Sequence, residues 1–291
     1  MSVRAVLGVL AIAVGSATVA GCDGEDDEHG YGRGRRDSEI VFGISQTKSA
    51  DGKVSTSVGY EYLDILDHGW SAVGLVSRGR SCWAETLDAR LGQPRVEGGV
   101  ATFEGGVLPD KGIAVVANRP GDLVLDAPAW QAAGDELTFQ ANGFAMPSVG
   151  PYKLRVPATE LAVTAPSDSA AEVAIDGTGT AELELGWTTA NDPADGPHES
   201  VVASLVAVPE GAPDARGVEL RCFFERSAGS GKLPQELVKR FASLVGQGTT
   251  PIKGKLRIAT HRQLTIHARG GWTVYVVASV DQREQPFALS R

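Results

Sequence analysis

From residue 38 onward the chain is written in short apolar or alternating runs, each closed by Gly, Pro, Asp or Asn. The runs fall at 40–44, 54–62, 72–76, 100–103, 113–116, 123–125 and 136–140. Asp51-Gly52, Gly98-Gly99, Gly105-Gly106, Pro120-Gly121 and Asn142-Gly143 stand between or beside them as turn signals. A repeat of roughly 8–14 residues in such a pattern predicts a sandwich or barrel. Pro and small residues cluster at 157–170. That shift places a domain boundary near Pro157, with 161–163 opening the second unit.

The second unit has a cleaner rhythm. A run at 172–175 leads into the Asp176-Gly177 turn, and 181–187 then alternates strictly. Runs at 201–208, 217–224, 255–267 and 272–280 follow. Alternation with one polar face is what a sheet packed on one side requires. One helix interrupts the pattern. Pro234 stands at its first position, and Leu237, Val238, Phe241, Leu244 and Val245 share one face before Gly246. The expectation is a mainly β protein of two β-sandwich-like domains, 38–157 and 158–291, with a short amphipathic helix over one end of the second.

The first 37 residues follow a different grammar. Within 1–21 the only charge is Arg4, ahead of a long apolar run diluted by small residues, the layout of a secretory signal. Val19-Ala20-Gly21-Cys22 resembles the bacterial lipobox, which has Leu where this chain has Val19. The resemblance implies cleavage before Cys22, acylation of Cys22 and anchoring to a lipid bilayer on the extracytoplasmic side. Several acyl chains on one residue suffice for stable anchoring. It leaves open which bacterial membrane holds the anchor. Residues 22–37 then read as the lipidated Cys and an acidic, Gly-rich tether, with five acids before Arg33, Arg35 and Arg36.

Composition narrows the classes. With 42% hydrophobic and 22% charged residues the chain is a folder, and 36 Gly with 15 Pro favour turns and short strands. A net charge of −9 argues against nucleic acid, whose binding needs clustered Lys and Arg. Cys82 and Cys222 remain once Cys22 is acylated. In an oxidising compartment they read as a disulfide, or as two separately buried thiols, one per domain.

Candidate chemistry is sparse. Ser230-Gly231-Lys232 has Arg226 where a phosphate loop needs Gly and Leu233 where it needs Ser or Thr, so it reads as a turn. His68-Gly69-Trp70-Ser71 lacks the second Gly of a nucleophile elbow. His261 and His267 share a strand face but sit roughly 20 Å apart by strand rise, too far to share a metal. The densest oxygen-rich loop is 191–199, where Asp192, Asp195 and Glu199 are the calcium candidates, without EF-hand spacing. Trp187 and Trp83 occupy positions that sandwiches bury. Trp130 and Trp272 lie at turns and are the candidates for ligand contact, by stacking on a sugar or anchoring a partner.

Two stretches taken together resemble a family. Gly143-Phe144-Ala145-Met146-Pro147 is followed by Val156-Pro157 and Leu161-Ala162-Val163-Thr164-Ala165-Pro166. Later come Leu185-Gly186-Trp187-Thr188, Leu220-Arg221-Cys222-Phe223-Phe224 and Gly229-Ser230-Gly231-Lys232-Leu233-Pro234. The order resembles myxobacterial-type secreted lipoproteins, in which a Gly-rich β domain precedes an immunoglobulin-like β-sandwich domain. Met146 departs from that pattern, and 38–81 has no counterpart in it. The resemblance implies fold and location, and brings no catalytic residue and no cofactor. The functional expectation is a lipid-anchored envelope protein with a non-enzymatic binding or structural role towards a protein partner. A glycan-binding module and a hydrolase with a scattered site are the alternatives.

Overall fold

The computed structural model describes residues 38–49, 51–64, 81–86, 99–116, 123–143, 146–167, 171–178, 182–188, 199–209, 217–246 and 250–290. The signal, Cys22, the tether, the run at 72–76, Asp192 and Asp195 lie outside the described residues. The first part of the chain forms β1 (Ser38–Lys48), β2 (Val54–Asp64), β3 (Ser81–Thr86), β4 (Val100–Gly105), β5 (Ile113–Val116), β6 (Leu123–Leu125), β7 (Glu136–Asn142) and β8 (Val149–Arg155). The second forms β9 (Val163–Ala165), β10 (Val173–Ile175), β11 (Leu183–Trp187), β12 (Ser200–Ala207), β13 (Val218–Glu225) and β14 (Ser230–Leu233). The helix α1 (Gln235–Val245) and the long strands β15 (Ile252–Ala268) and β16 (Trp272–Leu289) complete it. The protein is mainly β, as its alternation requires.

One nine-stranded sheet organises everything else. Its order is β3-β13-β12-β15-β16-β1-β2-β6, with β10 paired to the far end of β16. Strands of 17 and 18 residues make the β15–β16 hairpin roughly 55 Å long, against a common strand length near 5–6 residues. Its base half, with β10, β12, β13 and β3, is covered by the sheet β14-β11-β9 and by α1. Its tip half, with β1, β2 and β6, is covered by the sheet β5-β4-β7-β8. At the base, β9 pairs antiparallel with β11 in the covering sheet while β10 runs parallel to the end of β16 in the central one, so the two layers form a β-sandwich.

A bulge lets one strand serve both cores. Ile258 faces Arg283 across the hairpin and Ala259 faces Asp281, so Gln282 is an extra residue in β16. The alternation therefore changes phase. Val274, Val276, Ala278 and Val280 point into the tip core, and Phe287 and Leu289 point from the same sheet face into the base core. Among the described residues the two large cores each draw on both sides of residue 157, and Val41, Tyr275 and Val277 form a small third cluster. Cys82 and Ala84 of β3 belong to the base core, and Ile266 with Val274 to Val280 belong to the tip core. Local alternation shows that a residue is buried and not against which layer.

Smaller differences have equally local causes. Ser230-Gly231-Lys232 forms part of strand β14, where Lys232 lies between Glu182 (3.4 Å) and Glu184 (3.2 Å), and is not a turn. β8 escapes the pattern because Pro151 sits in it, which its edge position tolerates. Pro234 is the residue before α1, with extended backbone, and not the first helical residue. Leu237, Val238, Phe241 and Val245 do bury the helix stripe.

Candidate functional site

Where the two cores meet, the central sheet turns polar. Along β15 the inward row reads Leu256, Ile258, Thr260, Arg262, Leu264, Ile266, and its two polar members fall between the apolar clusters. Glu199, just before β12, is buried at the same place. Its Oε1 accepts from the Arg226 guanidinium (2.9 Å) and from the backbone N–H of Ala158 (3.1 Å). Its Oε2 accepts from the Arg262 guanidinium (3.2 Å). Arg226 is fixed in turn by its own backbone, since its N–H donates to the Glu199 carbonyl and its carbonyl accepts from Trp187 Nε1 (2.7 Å).

The connection 156–161 threads through this joint, and its backbone groups find partners on both sides. The Ala158 carbonyl accepts from Thr260 (2.8 Å) and from the Gln282 amide (3.3 Å), and the Leu161 N–H donates back to Gln282 (2.9 Å). The Pro157 carbonyl accepts from Trp130 Nε1 (3.2 Å), and the Trp130 carbonyl accepts from Gln46 (3.3 Å). The bulge residue Gln282 thus has a use, holding the linker that passes under it. Buried polar groups of this kind are tolerable only when paired, and here the pairs run from one core to the other.

This geometry relocates the candidates drawn from the sequence. Glu199 is not a calcium ligand, because two guanidiniums and an N–H occupy its oxygens and their charge opposes a divalent cation. Among the described residues no group of three or more His, Cys, Asp or Glu comes together to hold a metal. Trp130 is not a surface platform: it is 1% exposed, inside the tip core. Trp272 is half-buried against the same core, beside the hairpin turn. Trp187 lies in the base core as its alternation implied.

Cys82 and Cys222 are joined as a disulfide. They face each other directly in the β3–β13 pairing and point into the base core, closing 140 residues of sequence. The bond fastens β3, which comes from the first part of the chain, to β13, which comes from the second, at one edge of the central sheet.

The opposite face of the central sheet carries a second set of buried groups. Trp83 stacks on Phe223 with ring centroids 5.5 Å apart, and Phe223 meets the edge of His261 at 5.0 Å. Arg221 donates to Glu219 through Nη2 (2.6 Å) and Nε (3.0 Å). Burial, aided by the nearby positive charge of Arg221, pushes the His261 imidazole down to about 3. It is neutral at any ordinary pH. His267 shares its strand and face but is exposed, so the two histidines do not cooperate.

Sequence reading missed Arg226 and Arg262. The usable signal was parity: Arg262 sits in the inward row between Thr260 and Leu264, and an inward guanidinium requires a buried acid. No protein-family model matches the chain, and no curated protein matches it.

Proposed function

We propose that this chain is a lipid-anchored protein of the bacterial envelope, held through acylated Cys22 on the extracytoplasmic side. Its role is non-enzymatic, presenting a stiff double sandwich to a protein partner. The Cys82–Cys222 disulfide carries the reading, since such bonds persist in oxidising compartments and are rare in the cytosol. It is the bond expected of a chain that follows an export signal. The joint around Glu199 supports the scaffold part: both carboxylate oxygens are taken up by Arg226, Arg262 and the linker N–H, which suits the group to rigidity and not to turnover. A glycan-binding role loses its Trp130 platform to the tip core.

Fractionation of cells making the full chain, followed by crosslinking on intact cells, tests the proposal. The chain should sediment with membranes, Cys22→Ser should release it, and crosslinking should trap a discrete protein adduct. A full-length chain that stays soluble in the cytosol, or that yields no adduct when membrane-bound, would count against it.

A further inference from the structure

The register of the central sheet fixes where the tether leaves the fold. Ser38, the first described residue, pairs with Trp272 on one side and with Asp64 on the other. Trp272 is also the first residue after the β15–β16 turn, where it pairs with Ala268. β1 therefore starts at the hairpin tip. The hairpin base, where Ile252 pairs with Leu289, lies about 50 Å away by strand rise.

Residues 23–37 separate Cys22 from Ser38. Even fully stretched, a connection of that length reaches at most about 55 Å, no more than the length of the hairpin. Only a completely extended connection would let the base face the bilayer, so an anchor at Cys22 favours one end of the molecule over the other. We propose that the protein stands on its bilayer with the β15–β16 tip towards the lipid headgroups and the base of the central sheet held away from them. The inference rests on the lipid-anchor reading.

The chemistry of the tip suits that position. Arg269 and His267 are exposed there, and Trp272 is half-buried with its ring beside the turn. A cation and an indole are the side chains that settle at a membrane interface. The base of the sheet is then the end held furthest from the bilayer. It carries the end of β12, with Val208 49% exposed, the exposed Lys253 at the start of β15, and Thr178 after β10. That end belongs to the second sandwich.

The test uses the full lipidated chain in vesicles of phosphatidylethanolamine and phosphatidylglycerol containing a lipid with a nitroxide headgroup. A fluorophore is attached through Arg269→Cys at the tip or Lys253→Cys at the base. Co-flotation with vesicles is measured first, with Cys22→Ser as its control. Quenching at position 269 should exceed that at 253 several-fold in the co-floating protein. Equal or reversed quenching in co-floating protein overturns the orientation and leaves the anchor standing. Failure of the full chain to co-float overturns both.

Discussion

Replacing Glu199 with Ala takes one acceptor group away from three donors. The Arg226 guanidinium, the Arg262 guanidinium and the Ala158 N–H all bond to this carboxylate, and all are buried. Breaking a buried ion pair from one side costs about 3–5 kcal/mol, because the partner charge is left behind. For a protein of this size that is a fall in Tm of roughly 6–20 °C, at about 2–4 °C per kcal/mol. Glu199→Gln keeps the shape but also removes the charge, and its NH2 turns a donor towards a guanidinium, so it too should cost about 3–5 kcal/mol. Urea denaturation followed by tryptophan fluorescence suits the question, since Trp187 reports the base core and Trp130 the tip core. The loss should appear in a single transition, because the joint belongs to both cores. Adding Arg262→Met should make the Glu199→Ala loss smaller than it is alone. A loss below about 1 kcal/mol, the size expected of an exposed pair, or strictly additive costs for the two changes, would refute the reasoning.

Further outcomes follow from the same geometry. The unfolded imidazole titrates near 6.5 and that of His261 near 3, so between these values the unfolded chain binds the extra proton and stability falls as pH falls. The loss from pH 8 to pH 5 should be about 2 kcal/mol from this group, and chemical denaturation at both pH values should find that increment missing in His261→Gln. Converting both Cys82 and Cys222 to Ser removes a 140-residue loop closure and should cost at most about 5 kcal/mol, read as a lower urea midpoint. Trp130→Ala should cost about 3–5 kcal/mol through the cavity it leaves, which calorimetry will detect. A ligand-contact residue would have cost almost nothing.

The β character, the helix stripe and most strands were legible because each depends on periods of two or 3.6 residues within one segment. The shared hairpin was not. Its second strand was expected to stop at 280, because Asp281-Gln282-Arg283-Glu284-Gln285 is polar and the bulge at Gln282 breaks the alternation there. The polarity has a cause visible only in three dimensions. Gln282 serves the linker, the Arg283 guanidinium donates to the Pro166 and Val163 carbonyls, and Glu284 pairs with Lys255 and Arg257. Trp130 misled for a similar reason. Its neighbours Asp126 and Ala127 are indeed exposed, but the chain turns inward at Ala129 and the indole finds the Pro157 carbonyl. Glu199 looked like the end of an acidic loop, and only the approach of Arg226 and Arg262 from distant positions shows what its charge is for.

Acylation of Cys22 is tested most directly by intact-mass and peptide mass spectrometry of the protein taken from the membrane fraction. The mature chain should begin at Cys22, without residues 1–21, and its first peptide should carry a thioether-linked diacylglycerol. A chain that begins at any other residue, or a Cys22 peptide without lipid, would contradict the anchor and everything built on it.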